Sequence, residues 1–151
     1  MTYKTFAKNR KARYEYEIEK TMEVGVVLEG TEVKSIRAGN INIADSFCRI
    51  NEKLQVYLMN AHISQYDFGN RNNHDPLRPR ILLLHRSEIK RLYGQLKEKG
   101  LTLIPLKIYL KGGRIKLELA LGRGKKLHDK RLNIKKREAK REIERALKDR
   151  N

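Results

Sequence analysis

Residues 102–121 have the sequence TLIPLKIYLKGGRIKLELAL, and this stretch decides the fold. Apolar and polar side chains alternate on both sides of Gly112-Gly113, which is the period of a half-buried strand. Two adjacent glycines supply the positive φ angles that a tight primed turn needs, so the stretch predicts a long antiparallel hairpin. Its inward-facing side chains are predicted to be Thr102, Ile104, Leu106, Ile108, Leu110, Ile115, Leu117, Leu119 and Leu121.

Shorter strands and two helices follow from the same kind of pattern. Residues 14–19 alternate, with Tyr14, Tyr16 and Ile18 facing inward. Further strands are predicted over residues 24–28, 44–50, 54–59 and 80–84. The helices are predicted to begin at the N-caps Thr31 and Ser87 and to end at Gly39 and Gly100, the second with the inner stripe Ile89, Leu92, Tyr93 and Leu96.

These elements predict a mainly β protein with helices. About six short antiparallel strands favour a small closed OB-like β-barrel, because closure removes exposed strand edges. We expect two or three helices, a basic N-terminal arm over residues 1–13, a β-barrel domain over residues 14–121 and a basic C-terminal tail over residues 122–151. Residues 64–79 are rich in turn formers and predict an exposed, mobile loop.

The charge of the chain indicates its class of partner. Of 151 residues, 35 are basic and 18 are acidic, which gives a formal net charge of +17. Like charges repel one another in a compact fold, so this excess indicates a polyanion. Nucleic acid is the first candidate, an anionic membrane surface is the second, and basicity that serves only solubility is the third.

Residues 122–151 differ from the rest in composition. They contain 13 basic and five acidic residues and only five sizeable apolar side chains, too few to offset the entropy of ordering. Ile143 and Leu147 nevertheless lie at helical spacing, and Glu144 and Lys148 form an i, i+4 pair. We expect a tail that is disordered when free and helical on a charged partner.

Catalytic and metal-binding motifs are not found in the sequence. The four histidines lack the spacing of zinc ligands, and Cys48 lies in a predicted strand, which favours a core position over a nucleophile. The run Gly122-Arg123-Gly124-Lys125-Lys126 lacks the spacing of a phosphate loop. We therefore expect no enzymatic activity, no metal and no cofactor.

The cellular compartment is indicated by the single cysteine and by the apolar segments. One cysteine excludes an internal disulfide. The N-terminus lacks the apolar core of a signal peptide, and no apolar run is long enough to cross a bilayer. A reducing cytoplasm is the compartment that fits.

The low aromatic content indicates how RNA would be bound. Only 7% of the residues are aromatic, and the aromatic array with which a recognition-motif sheet stacks bases is absent. Tyr14 and Tyr16 are expected in the core. Binding should depend on phosphate contacts and shape more than on base stacking.

Four blocks of sequence resemble one protein family and occur in that family's order. They are NRKARYEY at residues 9–16, EVKSIRAG at residues 32–39, DPLRPRILLL at residues 75–84 and GKKLHDKR at residues 124–131. On these blocks the chain resembles the small protein B family, also called the SsrA-binding protein family.

The resemblance implies a small barrel that binds the tRNA-like domain of transfer-messenger RNA. The complex would enter the empty A site of a stalled bacterial ribosome for trans-translation, with the tail sensing the vacant messenger channel. The implied partners are transfer-messenger RNA, the small-subunit decoding centre and messenger channel, and elongation factor Tu with the charged RNA. A cytoplasmic monomer without membrane attachment is also implied.

The same resemblance assigns candidate residues. The RNA-binding set is Asn9, Arg10, Lys11, Arg13, Glu23, Lys34, Arg37, Leu83, His85, Lys125 and Lys126. The ribosome-engaging tail residues are His128, Asp129, Lys130, Arg131, Ile143 and Leu147. Structural alternatives stay open for three of these residues: Leu83 as a core residue, Glu23 as a solvated strand residue and Asp129 as a helix N-cap.

Two other functions are compatible with a small basic chain. A structural ribosomal protein would be present on nearly every ribosome, and a membrane-surface binder would use the basic tail on anionic lipid. The tail has no bulky aromatic anchors and few apolar positions, which disfavours the membrane.

Overall fold

The computed structural model describes residues 3–67, 73–125 and 127–149. Its strands are β1 Tyr3–Lys8, β2 Tyr16–Val26, β3 Ile41–Asn42, β4 Phe47–Ile50, β5 Val56–Met59, β6 His62–Ile63, β7 Arg80–Leu83, β8 Thr102–Lys111 and β9 Arg114–Gly124. Its helices are α1 Ala12–Glu15, α2 Gly30–Arg37, α3 Arg86–Lys99 and α4 Leu127–Asp149. These described residues are mainly β, with three helices in the body and a fourth in the tail.

The predicted hairpin is confirmed. β8 and β9 pair antiparallel along their lengths. Gly112 and Gly113, which join them, have φ angles of 59° and 76°, the signs of a type I′ turn. This hairpin lies next to one edge of a seven-stranded sheet and pairs with the edge strand β1 on one side and with β2 on the other.

A β-bulge divides β8 into two halves that face opposite ways. Leu106 is the extra residue, because Pro105 and Lys107 pair with the consecutive β9 residues Leu119 and Glu118. The inward and outward alternation reverses at this point, so the single inner face predicted for β8 is wrong. Proline is suited to a bulge because it has no N–H to donate to a ladder.

Two apolar clusters result from this reversal. Ile108 belongs to the main core, whereas Ile104 and Leu106 pack in a smaller cluster with Ala12 of α1 on the other face of the sheet. Cys48 is buried in the main core, as predicted. Burial raises the pKa of its thiol, which keeps it protonated and unreactive.

The N-terminal segment differs from its prediction. Residues 3–8, expected in a basic arm, form β1 and pair with β8. α1 occupies the start of the strand predicted over residues 14–19, and β2 runs without interruption through the remainder and most of the strand predicted over residues 24–28. These elements are stabilised by pairing with distant strands, and local composition does not reveal such partners.

The sheet has the strand order β1-β8-β9-β2-β7-β5-β4, and β3 and β6 form a separate pair. The strands predicted over residues 44–50, 54–59 and 80–84 are present in shortened form as β4, β5 and β7. The strand order leaves β1 and β4 at the two edges, and no ladder joins them within the described residues. The closed barrel therefore stays a prediction.

α2 begins at a capping box and not at Thr31. Glu29 is the N-cap, and its N–H donates to the Glu32 carboxylate at 2.8 Å while its own side chain accepts the Glu32 N–H. Thr31 instead bonds through Oγ1 to Nδ1 of His74 at 2.8 Å. Gly39 follows the helix with a φ of 85°, as predicted for its end.

Glu32 and Arg80 form a fully buried ion pair, with both side chains 0% exposed. Arg80 Nε donates to Glu32 Oε2 at 2.5 Å, and Arg78 Nη2 donates to Oε1 at 2.5 Å. Arg80 also donates to the carbonyls of Ala61 at 2.7 Å and Pro76 at 3.1 Å. The pair joins α2, β7 and the chain before β7 into one unit, with the buried charges matched.

The loop predicted over residues 64–79 is only partly exposed. His74 is buried and bonds through Nε2 to the Ile63 carbonyl at 2.8 Å. Asn73 Nδ2 donates to the Tyr66 carbonyl at 2.8 Å. The prediction of an exposed loop is therefore confirmed for Asp67, Asp75 and Leu77 and wrong for His74. Residues 68–72 lie outside the described residues.

α3 has the predicted inner stripe but not the predicted cap. Ile89 and Leu92 are buried on one face. His85 is the N-cap residue, so Ser87 lies inside the first turn of the helix. Gly100 ends the helix in the left-handed conformation with a φ of 61°, as predicted.

Replacing Glu32 by Gln should destabilise the fold in a pH-dependent way. Burial raises the pKa of Glu32, but hydrogen bonds from Arg78, the Glu29 N–H and Arg80 outweigh it, so the pKa is lowered from 4.5. A lowered pKa contributes stability above pH 4.5, and that stability is lost as the pH falls through the folded value. Leaving a buried charge unpaired costs about 3–5 kcal/mol.

Denaturant unfolding between pH 7 and pH 3 measures this effect. We expect the large deficit of Glu32→Gln at pH 7 to shrink as the wild type loses its own pair in acid. Glu52→Gln, at an exposed position of the β4–β5 turn, is the control and should follow the wild type. Equal stability of the wild type and Glu32→Gln at pH 7 would contradict the role of the pair.

Candidate nucleic-acid interface

One groove on the outer face of the sheet contains three of the candidate residues. Glu23 of β2, Leu83 of β7 and His85 at the start of α3 line it, together with Lys116 of β9 and Glu88 of α3. Pairing of β2 with both β9 and β7 brings these elements side by side. The groove therefore depends on sheet register and not on a single segment.

Leu83 is a surface residue and not a core residue. Its side chain is 57% exposed, so the core alternative is wrong. Gly25 lies opposite it on β2, and a Cβ atom at position 25 would come within 3.2 Å of Leu83 Cδ1. The missing side chain of Gly25 thus lets Leu83 lie against the neighbouring strand at the surface.

Glu23 is an exposed strand residue, as one of the two interpretations from the sequence expected, but hydrogen bonds hold its carboxylate in place. Tyr109 Oη donates to Oε2 at 2.5 Å, and Lys111 Nζ donates to the same oxygen at 3.3 Å. The hydrogen bond from Tyr109 lowers the pKa of Glu23, and Lys111 and Lys116 act in the same direction against the effect of burial. Glu23 is therefore an ionised acceptor in a fixed position.

His85 lies at the junction of β7 and α3. Its carbonyl accepts the N–H of Ile89 at 3.0 Å, the first bond of the helix, and its side chain is exposed. The N-terminus of a helix carries partial positive charge. Lys116 adds a positive charge to the groove, and Glu23 and Glu88, the latter in the first turn of α3, add negative charges.

Two basic candidates lie on the outer side of α2. Lys34 and Arg37 are exposed, while Glu32, Ser35 and Ile36 of the same helix are buried. Lys34 Nζ lies 5.6 Å from the ring centroid of Tyr66, within cation–π range. The buried face of α2 packs against the protein body, and the two basic side chains on the opposite face point to solvent.

Asn9 supports the bulge of β8. Its N–H donates to the Leu106 carbonyl at 2.7 Å, and Nδ2 donates to the Pro105 carbonyl at 3.0 Å. Asn9 Oδ1 is buried without a hydrogen-bond partner among the described residues. A structural role for Asn9 is therefore evident, and a contact to RNA stays a prediction.

Four further basic candidates that the structure describes lie at the junction of α1 with the tail: Arg10, Lys11, Arg13 and Lys125. Lys125 Nζ donates to the Arg13 carbonyl at 3.1 Å, and the Lys125 backbone N–H donates to the Glu15 carbonyl at 2.9 Å. The Arg137 guanidinium of α4 lies 5.2 Å from the ring centroid of Tyr14. The two adjacent basic grooves at this junction share Arg10, Tyr14 and Arg137, and are also lined by Lys11, Arg13, Lys125, Lys136 and Arg141.

Comparison with known proteins places this arrangement in a family. A family model described as SmpB protein matches residues 6–149. The chain belongs to the SmpB protein family. No helix among the described residues of this family member is long and apolar enough to cross a membrane.

Curated relatives match almost the whole chain. An SsrA-binding protein from Desulforudis audaxviator is 61% identical over 143 residues, 95% of this chain and 93% of the relative. SsrA-binding proteins from Anoxybacillus flavithermus (58% over 147 residues, 97% and 95%) and Bacillus subtilis (57% over 146 residues, 97% and 93%) are similar to the same extent. Similarity therefore covers the body and the tail alike.

A solved structure is also similar. It is described as "tmRNA-SmpB: a journey to the center of the bacterial ribosome" and is 50% identical, with a TM-score of 0.64. The match covers 80% of this chain and 84% of the other. The fold described above is thus shared with an SmpB structure.

The candidates suggested by sequence are divided among several places in this member of the SmpB family. Glu23, Leu83 and His85 share one groove, whereas Asn9 does not line it. His128, Asp129, Lys130 and Arg131 lie in the first turns of α4, and Lys126 lies outside the described residues. Ile143 and Leu147 of α4 are 62% and 59% exposed.

Sequence reasoning missed the residues that hold the groove together. Tyr109 and Lys111 fix Glu23, and Gly25 makes room for Leu83. The alternation of β8 places Tyr109 and Lys111 on one face, which is a usable signal. Their partner lies more than 80 residues earlier in the chain, and no local pattern indicates it.

Replacing Tyr109 by Phe should raise the pKa of Glu23 toward 4.5. The phenolic hydroxyl stabilises the ionised carboxylate, so its removal favours the protonated form. Titration of the Glu23 side-chain carboxyl by ¹³C NMR measures the shift. Tyr57→Phe, which removes a hydroxyl that bonds Gln55, is the control, and an unchanged Glu23 titration in Tyr109→Phe would contradict the assignment.

Proposed function

We propose that this chain binds the tRNA-like domain of transfer-messenger RNA and delivers it to the A site of stalled bacterial ribosomes for trans-translation. The observation that carries the proposal is the groove shared by Glu23, Leu83 and His85, in a chain with a net charge of +17. Membership of the SmpB family supports it, as does the similarity to SsrA-binding proteins over nearly the whole chain. The role is one of binding and delivery, without catalysis.

The groove offers RNA three kinds of contact. The carboxylate of Glu23, held by Tyr109, is a fixed acceptor for a base amino group or a ribose 2′-hydroxyl. Leu83 presents apolar surface to a base or a sugar. Lys116 and His85 supply the donors that phosphate oxygens need.

The tail carries the second half of the function. Asp129, Lys130 and Arg131 engage the small-subunit decoding centre, and α4 enters the vacant messenger channel. Residues 134–148 of this helix are exposed, so packing against the body contributes little to its stability, and most helices depend on such packing. We therefore expect the tail to be disordered when free and helical on the ribosome.

Four finer features belong to this proposal. They are elongation factor Tu as the partner of the charged RNA, a monomeric protein, a cytoplasmic location, and closure of the sheet into an OB-like barrel. β4 contacts β8, although the two strands are not neighbours in the sheet, which supports a strongly curled sheet. Hydrogen exchange tests closure, because paired edge strands protect their amides.

Leu83→Asp should weaken RNA binding without destabilising the protein. The change places a negative charge where RNA approaches, and affinity for the isolated tRNA-like domain should fall about ten-fold or more, equivalent to about 1.4 kcal/mol. Because Leu83 is exposed, the free energy of unfolding should change by less than about 0.5 kcal/mol.

Filter binding with the RNA, together with thermal unfolding, measures both quantities. Leu77→Asp is the matched control, because Leu77 is 49% exposed and does not line the groove. Equal affinities of Leu83→Asp and Leu77→Asp would argue against the groove as the RNA site.

Replacing Asp129, Lys130 and Arg131 together by Ala should separate binding from ribosome engagement. Each charged side chain can form charge-assisted bonds of about 1–3 kcal/mol, and the proposal places these bonds on the ribosome. We expect near-normal affinity for free transfer-messenger RNA, near-normal recruitment to stalled ribosomes and loss of the following peptidyl transfer. Failure of the triple variant to bind the free RNA would show that body and tail are not separate in function.

A further inference from the structure

A second groove lies on the other side of Leu83. Leu83, Gly25 and Lys116 line both grooves. The second extends from Leu83 toward the tip of the β8–β9 hairpin, where Arg114 lies, and toward the C-terminal end of α2, where Arg37 lies. Leu83 therefore stands as a ridge between two adjoining depressions.

The second groove has an apolar floor and a cationic rim. Its floor is formed by half-buried aliphatic side chains: Val26, Leu28, Val33 and Ile115. Arg37 and Arg114 are exposed on its rim, and none of the described residues that line it is acidic. Neither guanidinium forms an ion pair with a residue of the described ranges. This differs from the first groove, which contains two glutamates.

Both arginines are carried by backbone that is fixed elsewhere. Arg114 pairs with Lys111 directly after the Gly112-Gly113 turn, at the closed end of the longest hairpin. Arg37 lies in the last turn of α2, which the buried carboxylate of Glu32 anchors. A binding site on rigid elements loses less entropy when it is occupied.

We propose that the second groove holds one unstacked nucleotide of the bound RNA. The base or ribose lies on the aliphatic floor, and the phosphates lie between Arg37 and Arg114. A guanidinium suits this position because its planar N–H donors match two phosphate oxygens at once. The inference rests on the proposed function, and it assigns an RNA contact to Arg114, which lies outside the four sequence blocks.

The shared ridge gives the RNA a continuous path. An RNA strand whose amino or hydroxyl group donates to Glu23 can cross Leu83 and enter the second groove without leaving the protein surface. An acidic peptide would also suit the two arginines. A ribose-phosphate backbone is favoured because the second groove continues directly into the first.

Three variants test the inference by affinity for the isolated tRNA-like domain. Arg114→Gln should weaken binding roughly five- to ten-fold, on the order of one lost charge-assisted contact. It should also reduce the slope of log affinity against log salt by about one. Arg114→Lys keeps the charge and should retain more of the affinity. Arg123→Gln is the matched control, because Arg123 is exposed and lies about 30 Å along the same strand.

Chemical probing of ribose reactivity identifies the occupant of the groove. The wild type should protect one nucleotide that becomes reactive with Arg114→Gln but stays protected with Arg123→Gln. The variants at Arg114 and Arg123 should keep the wild-type melting temperature, since both of these arginines are exposed.

The outcomes separate the inference from the proposed function. If the wild type does not bind the RNA, the proposed function itself fails. If the wild type binds and Leu83→Asp weakens binding, but Arg114→Gln does not, only the second groove is refuted. Equal losses for Arg114→Gln and Arg123→Gln, or weaker binding without a newly reactive nucleotide, also overturn the inference, because either result indicates a contact that is not a seated nucleotide.

Discussion

The buried ion pair between Glu32 and Arg80 is the contact on which the rest of the structure depends. Arg80 is the first residue of β7 and points into the protein. Because strand side chains alternate, its burial also directs Leu82 inward and Leu83 outward. Burial of Glu32 likewise turns Arg37 of α2 toward solvent. One contact between residues 48 positions apart thus orients side chains on both sides of the second groove.

The value of this pair lies in geometry more than in net stability. Removing two charges from water is costly, and apolar replacements for buried ion pairs are often as stable. A guanidinium, however, offers five N–H donors in one plane. Arg80 uses them on Glu32 and on the carbonyls of Ala61 and Pro76. A leucine pair could fill the same volume but could not fix the position of three chain segments at once.

Short sequence patterns correctly predicted the turns and helix ends that depend only on residues close together in the chain. The Gly112-Gly113 hairpin and the helix end at Gly100 depend on neighbouring residues, and both are confirmed. Contacts between distant residues determine what sequence reasoning missed. Asn9 bonds a carbonyl 96 residues away, which no spacing indicates. For the site, family resemblance supplied Glu23, Leu83 and His85, which do share a groove, whereas Arg114 is one basic residue among many in the sequence.

The bulge at Leu106 makes the hairpin more sensitive to the number of its residues than to their type. A deletion of one residue between Pro105 and Lys107 would turn the outer half of β8 over, moving Ile108 out of the main core and turning Lys107 and Tyr109 toward it. Tyr109 would then face away from Glu23, and the carboxylate would lose its donor. The hairpin can therefore accept conservative substitutions but not insertions or deletions. Gain or loss of residues must be confined to the connecting loops.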